Sequence, residues 1–295
     1  EYTNIIGQID LVVCLDSGAG NYDQFWTTVS LRGMIACELR ADVLTEGVHS
    51  GSASGLVPSS FRVLRQLISR IEDETSGKIK AEELHTNIPD HRINEVREMV
   101  SVLNKEGEIF PWHGNTIPST DDPVEGMLRR TWNPTLSTVG LDGVPAIKDG
   151  GNVLRPYTAL KLSFRLPPDV DCHKAMDAVN KILTENPPYN ASISIEWEEP
   201  ANGWNAPTLA PWLDTAIQEA SNTFYGKPAL AMGEGGTIPF MAMLGEKFPE
   251  AQFVITGVLG PGSNAHGPNE FLNIPFGKKL SACISSIIHQ FPSEK

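Results

Sequence analysis

Hydrophobic and polar positions fall into two textures along the chain. Asp10 to Leu15 is a continuous apolar run, as a parallel strand covered on both faces requires, and it ends in the turn Asp16-Ser17-Gly18-Ala19-Gly20. Gln24 to Leu31 and Met34 to Val43 are β-rich segments with partial alternation, parted by Arg32-Gly33. Ser50 to Pro58 is small and flexible in composition. Pro58-Ser59-Ser60 then opens a helix predicted through Glu74, with Phe61, Leu64, Leu67, Ile68 and Ile71 on one stripe and Gly77 as its stop. Lys78 to Trp112 carries charged helical patterns, including Asn94 to Asn104, and Asn115 to Arg130 becomes helical only toward its end. Thr138 to Gly143 precedes a Gly-rich turn at Asp149 to Asn152. Tyr157 to Leu166 alternates as a strand, Pro167-Pro168 breaks it, His173 to Thr184 is an amphipathic helix, and Ser192 to Trp197 alternates again.

After Glu199 the pattern changes. Pro211 to Tyr225 reads as a helix ended by Gly226, Ala229 to Met232 leads to a Gly pair, and Ile238 to Leu244 is apolar. Phe253 to Val258 is a buried strand, Leu259 to Glu270 a loop, and Phe276 to Gln290 the closing helix. This is α/β texture, like the opening residues. The simplest architecture is therefore a discontinuous α/β domain, residues 1–31 and 199–295, interrupted by an α+β domain, residues 32–198, whose sheet is covered on one side. Glu1 stands within a dozen residues of a buried strand, so the chain reads as entered in the middle of a domain.

Composition narrows the chemistry without naming it. The 295 residues suffice for two domains, and 40% apolar with 20% charged residues describes a globular protein with a real core. A net charge of −13 argues against nucleic acid or an anionic membrane as partner, because both need a basic surface. No apolar run approaches the roughly 20 residues that span a bilayer, and no basic-then-apolar signal-peptide pattern occurs. Cys14, Cys37, Cys172 and Cys283 are scattered without a Cys-x-x-Cys pair, so a disulfide framework or thiolate zinc site is not expected and the cytoplasm is the default compartment.

Five places could carry chemistry. Asp16 follows an apolar strand, where open α/β sheets place their ligands; a turn-forming Asp before Ser-Gly is the simpler reading on position alone. His266, in Ser263-Asn264-Ala265-His266-Gly267-Pro268-Asn269-Glu270, is a zinc ligand or a surface loop residue, with Glu270 placed to hold it or to cap the next segment. His49 lies between glycines in Glu46-Gly47-Val48-His49-Ser50-Gly51, which fits a solvent-exposed turn or close approach to a ligand. Glu234-Gly235-Gly236-Thr237 offers backbone N–H groups that suit a carboxylate, or simply turns. Arg165 interrupts an apolar strand and calls for an anionic partner, either a structural ion pair or a substrate carboxylate.

Taken in order, Leu-Asp-Ser-Gly, Gly-Val-His-Ser-Gly, Ser-Phe-Arg-Leu-Pro-Pro, Glu-Gly-Gly-Thr-Ile-Pro and Ala-His-Gly-Pro-Asn-Glu resemble the dinuclear zinc peptidases of the carnosinase, carboxypeptidase G and succinyl-diaminopimelate desuccinylase type. Trp132-Asn133-Pro134-Thr135-Leu136-Ser137 brings the chain nearest to the carnosinase-like dipeptidases. The resemblance implies a zinc-peptidase domain interrupted by a lid and dimerisation domain, and hydrolysis of an amide bond in dipeptides or small peptides. It implies two zinc ions per active site, other divalent metals being possible, with Asp16 and His266 as terminal ligands. It also implies that His49 steadies the oxyanion in a neighbouring subunit's site, which makes the unit a homodimer. Asn152 and Arg165 would hold the substrate, with Gly235, Gly236 and Thr237 wrapping the same end and Glu234 leading into that loop. In such enzymes a metal-held water, deprotonated by a glutamate, attacks the amide carbonyl.

Two departures qualify the resemblance. The family's His-x-Asp motif, bridging Asp and Glu-Glu pair precede the strand ending at Asp16, and no His-x-Asp occurs in this sequence; the chain therefore resembles the C-terminal part of such an enzyme. Ala206 stands where carnosinase-like members carry a substrate-contacting histidine. The alternatives are an N-acyl (succinyl) amino acid deacylase of the same family and a catalytically inactive dimerising or binding remnant.

Overall fold

The computed structural model describes residues 3–103 and 110–292. Glu1, read as the entry into a domain, and Asn104, the expected end of a helix, lie outside the described residues. The chain divides into two compact units: Glu1–Leu31, Ile88–Thr131 and Trp204–Lys295 form the first, and Arg32–Asn87 with Trp132–Gly203 the second. Segment 88–131, expected within the interrupting domain, thus clusters with the first unit. The cause is its apolar face: Val96 and Met99 are buried in one core with Trp26, Leu213, Val254 and Phe276.

The first unit is α/β. Strand β1 (Leu11–Cys14) pairs in parallel with β11 (Gln252–Ile255), Leu11 opposite Gln252 and Cys14 opposite Ile255. Strand β2 (Trp26–Leu31) pairs in parallel with β10 (Leu230–Glu234) and antiparallel with the short β9 (Trp204–Asn205). Around these strands lie α4 (Asp90–Leu103), α5 (Pro123–Thr131), α7 (Pro211–Tyr225), α8 (Pro239–Lys247) and α9 (Ile274–His289). Proline at the start of α7, α8 and α9 costs no hydrogen bond there, and Gly226 closes α7 at φ 74°, a left-handed position that glycine adopts without strain. One expectation fails: β1 is half-buried at all four positions, not enclosed on both faces, and Leu15 after it is exposed. Among the described residues β1 is hydrogen-bonded along one edge only, which leaves its side chains less covered than a central strand's.

The second unit is a four-stranded antiparallel sheet in the order β5-β7-β3-β8, built from β5 (Thr135–Asp142), β7 (Tyr157–Leu166), β3 (Gly33–Asp42) and β8 (Ser192–Trp197). Two helices, α3 (Ser60–Ile71) and α6 (Cys172–Thr184), supply the other half of its core. Ile35, Cys37 and Leu39 of β3 and Leu160, Leu162 and Phe164 of β7 meet Leu64, Leu67, Ala175 and Val179 of the helices. Alternation then sends Glu38, Arg40, Lys161, Ser163 and Arg165 to the uncovered face. Asp171 caps α6, its carboxylate accepting from the His173 and Lys174 N–H groups, and these bonds hold its carboxyl below the usual range.

Several expectations in this unit need correction. Helix α3 stops at Ile71 because Glu72 turns extended and pairs with Ile79. Its buried stripe runs through Val63, Leu64, Leu67 and Ile71, while Phe61 is 45% exposed. The segment around Thr138 is the edge strand β5, and Ser50–Ala53 forms one helical turn, α2.

Candidate functional site

In the first unit the carboxyl ends of parallel strands converge, the place where open α/β sheets bind ligands. Beyond β1 the chain turns through Asp16 to Gly20, and beyond β11 it runs from Thr256 to Ala265. The two loops lie side by side: the Ala19 N–H donates to the Leu259 carbonyl at 2.9 Å, and Gly18 bridges Leu259 in parallel. Their approach is so close that a Cβ built on Gly257 would sit 1.6 Å from the Ser17 carbonyl oxygen. Ser17 is itself fixed, its hydroxyl hydrogen-bonded to that of Thr28 on β2 at 2.5 Å. Strand β10 delivers the third piece, because its register shifts between Met232 and Gly233 just before Glu234-Gly235-Gly236-Thr237.

These loops surround a cavity of about 500 Å³. Asp16, Glu234, Gly235, Gly236 and Thr237 line it, as does Ala265, the neighbour of His266. Glu234 is half-buried, and its Oε1 lies 2.8 Å from where a Gly18 Cβ would stand, so only glycine there lets the carboxylate approach the first loop. Asp16 and His266 are exposed.

His266 stands in a tightly tied loop. Asn264, His266 and Asn269 all have left-handed backbones, at φ 55°, 60° and 59°. The Asn264 side-chain amide donates to the Pro268 carbonyl at 2.6 Å, and Glu270 accepts from the His266 backbone N–H at 3.3 Å. Glu270 thus holds the histidine through the main chain.

The remaining sequence-predicted residues belong to the second unit. His49 caps α2, its Nδ1 accepting from the Gly51 N–H at 3.1 Å. Asn152 is next to it: its carbonyl accepts from the Ser50 N–H at 2.9 Å, and the short strands β4 (Val48–His49) and β6 (Val153–Leu154) pair beside it. Arg165 is half-buried near the other end of β7, opposite Met34 and Thr135. It faces the side of the sheet away from the helices, so its guanidinium is not in the apolar core. The structure therefore brings Asp16, Glu234 to Thr237 and the His266 loop together and brings His49 to Asn152, while Arg165 sits on a different sheet from the β4–β6 pair, near the far end of β7.

The two zinc ions implied by the sequence resemblance can be tested against these side chains. A catalytic zinc takes three protein ligands plus water. Among the described residues no three His, Cys, Asp or Glu side chains come together to hold a metal. Asp16 and His266 are two donors of the right kind on adjoining loops, and by themselves they do not make a complete site. Cys37 and Cys283 offer none, since burial pushes both thiols up to about 12.

The other wall of the cavity was not foreseen. Met99 and Leu103 of α4, Met127, Arg130 and Thr131 of α5, and Met232 of β10 line it. The signal was present as helical periodicity in 90–103 and 123–131, but nothing in the sequence says that these helices close on the β1 and β10 loops. Arg92 of α4 was missed as well. It is 4% exposed, donates to both Glu95 carboxylate oxygens at 3.0 and 2.9 Å, to Asn205 Oδ1 at 3.0 Å and to the Ala206 carbonyl at 2.7 Å, and so pins β9 to the helix.

Comparison with known proteins gives this arrangement a context. A family model described as the peptidase dimerisation domain, M20_dimer, matches residues 29–190. The cysteinylglycine-S-conjugate dipeptidase of Corynebacterium striatum is 25% identical over 247 residues, 82% of this chain and 52% of that protein. The Cys-Gly metallodipeptidase DUG1 of Saccharomyces cerevisiae is 24% identical over 270 residues, 85% of this chain and 54% of that protein. The chain thus spans about half the length of the curated relatives it matches. The fold is shared with the di-peptidase Dug1p from Saccharomyces cerevisiae, at a TM-score of 0.71 and 21% identity over 97% of this chain and 60% of that one, and with the M20 family metallo-carboxypeptidase Sso-CP2 from Sulfolobus solfataricus, at a TM-score of 0.73 and 21% identity over 97% of this chain and 64% of that one.

Proposed function

The chain belongs to the M20 peptidase dimerisation-domain family, and from that membership we propose that it is part of a metal-dependent dipeptidase acting on small peptides of the Cys-Gly kind. The observation that carries the reading is the cavity at the carboxyl ends of parallel strands, which gathers Asp16, Glu234 and the Gly235-Gly236-Thr237 turn beside the His266 loop. A free dipeptide is a zwitterion with one amide between its charges. Glu234 is suited to accept hydrogen bonds from the substrate's ammonium, and the N–H groups of the Gly-Gly-Thr turn to hold polar oxygen. The largely apolar remainder of the cavity would reduce the water around these contacts.

Asp16 and His266 are assigned here as two zinc ligands, and a complete site would require donors beyond the described residues. His49, Asn152 and Arg165 keep the substrate-side roles that the sequence motifs suggest, His49 at the developing oxyanion and Arg165 on the substrate carboxylate. The matched dimerisation domain supports a homodimer. Four free thiols and a net charge of −13 fit a reducing compartment, the cytoplasm, and a small-molecule substrate in place of nucleic acid. Among the described residues no helix is long and apolar enough to cross a membrane.

The test measures hydrolysis of Cys-Gly and other free dipeptides alongside N-succinyl and N-acetyl amino acids, with zinc content by elemental analysis, for the protein and its Asp16→Asn and His266→Ala variants. Dipeptide cleavage that falls by about 100-fold or more in either variant, together with lost zinc, is expected, since a metal contributes several kcal/mol to such a step. Undiminished cleavage and zinc in both variants refutes the assignment. Cleavage of acyl amino acids alone would replace it with a deacylase, and zinc-free inactivity with a dimerising or binding protein.

A further inference from the structure

We propose that the methionine-lined wall of the cavity is the pocket for the substrate's side chain, and that it selects unbranched apolar and thioether side chains at the N-terminal position of a dipeptide. The proposal rests on the dipeptidase reading and names its substrate class. Met99, Leu103, Met127 and Met232 form this wall, from three separate elements, α4, α5 and β10. Three of the chain's seven methionines line this single cavity, Met127 and Met232 half-buried at its surface and Met99 almost wholly packed in the core. A flexible, polarisable thioether wall fits long unbranched groups and sulfur well, and it adapts to different lengths where a wall of branched side chains would not.

The position of the wall supports its use. The charged and hydrogen-bonding groups, Asp16, Glu234 and the Gly-Gly-Thr turn, lie on the strand-end loops, whereas the methionines come chiefly from the helices that close over them. A zwitterion whose ammonium is held by Glu234 on the loops would therefore turn its N-terminal side chain toward the helices. The wall is also firmly set. Met99 is 1% exposed and is packed in the core with Val96 and Trp26, and Leu103 lies 3.1 Å from where a Gly20 Cβ would stand, so only glycine at 20 admits α4 this close to the loop. Thr131 likewise lies 3.1 Å from a Cβ on Gly233, at the β10 irregularity. Both glycines let neighbouring side chains pack tightly: Trp26 and Leu103 fill the space beside Gly20, and Ser30 and Thr131 that beside Gly233.

The test is a calorimetric Kd series with Gly-Gly, Ala-Gly, norleucyl-Gly, Met-Gly and Val-Gly on the protein and on Met127→Ala and Met232→Ala, run beside hydrolysis of the same peptides. Each buried methylene is worth about fourfold in affinity, so norleucyl-Gly and Met-Gly are expected to bind at least about tenfold more tightly than Ala-Gly, with β-branched Val-Gly below them. Either substitution should reduce that ratio to about threefold or less, while Leu→Met exchange at Leu103 should preserve it. A flat series on the unaltered protein, no binding of any of these peptides, or a gradient untouched by both alanine variants overturns the proposal. A gradient in binding without hydrolysis would uphold the pocket and refute the dipeptidase reading, so the two can fail separately.

Discussion

Arg92 gives the most quantitative handle on the first unit. Its side chain is 4% exposed and makes four hydrogen bonds: two to Glu95, one to Asn205 and one to the Ala206 carbonyl. Truncation to alanine removes one partner of a largely buried ion pair, a change that costs roughly 3–5 kcal/mol. Glu95 is 27% exposed, so water recovers part of its solvation and the lower end of that range applies. The Asn205 amide and the Ala206 carbonyl also lose their donor, at about 1 kcal/mol each where water does not replace it. The expected total for Arg92→Ala is about 4 kcal/mol. With an urea m-value of about 3 kcal/mol per M, the midpoint should fall by more than about 1 M. Far-UV circular dichroism follows the transition, and Glu95→Ala and the double variant complete a thermodynamic cycle. The double variant should lose clearly less than the two single losses combined, because each single change leaves the other charge unpaired. A loss under about 1 kcal/mol for Arg92→Ala, or strict additivity in the cycle, would refute the view that this residue ties β9 to α4.

Three further outcomes follow from particular contacts. Gly257→Ala should prevent recovery of folded protein, since its Cβ would lie 1.6 Å from the Ser17 carbonyl oxygen, whereas Gly151→Ala, with nothing within 4 Å, should leave the melting temperature unchanged. Alkylation by iodoacetamide at pH 8, mapped by mass spectrometry, should label half-buried Cys14 and spare Cys37 and Cys283 until the protein is denatured, because burial pushes both thiols up to about 12. Asp142 and Asp171 are held below the ordinary carboxylate range by hydrogen bonds, chiefly from the Gly143 and Lys174 backbone N–H groups. Their folded-state values are depressed, so their contribution is present above the unfolded value and fades as pH falls below about 4. Replacing both with asparagine should flatten the acid limb of a melting-temperature profile, and an unchanged limb would refute it.

Much of the second unit was legible because its strands alternate cleanly. Tyr157–Leu166 and Ser192–Trp197 have the boundaries their patterns predict, and Gly226 ends Pro211–Tyr225 in the left-handed conformation expected of it. Strand β5 was hidden for a physical reason. It is a sheet edge with Val139 and Leu141 exposed, and a register shift between Thr138 and Gly140 breaks its alternation. Helix α8 looked only like an apolar run, since residues 238–244 are too few to separate a helix from a buried strand by period alone. In the site, Asp16 and the Glu234 to Thr237 turn were readable because strand ends and glycines mark them. The methionine wall was not, because its residues are far apart in sequence and are brought together only when segment 88–131 joins the first unit.

The loop that carries His266 has a consequence for how that imidazole can behave. Three non-glycine residues in six adopt left-handed backbones there, each at a cost of about 1 kcal/mol or more relative to an ordinary conformation. Such a loop is held by the Asn264 and Glu270 side chains together with backbone hydrogen bonds from Gly267 to Asn264 and from Phe271 to Ser263. The ordering of the segment is thereby completed during folding, and little entropy remains to be lost when a ligand arrives. The histidine is presented as a preset tooth on a wound spring: a glycine at 269 would relax the backbone and make the loop more comfortable, and it would also surrender the aim that the tension maintains.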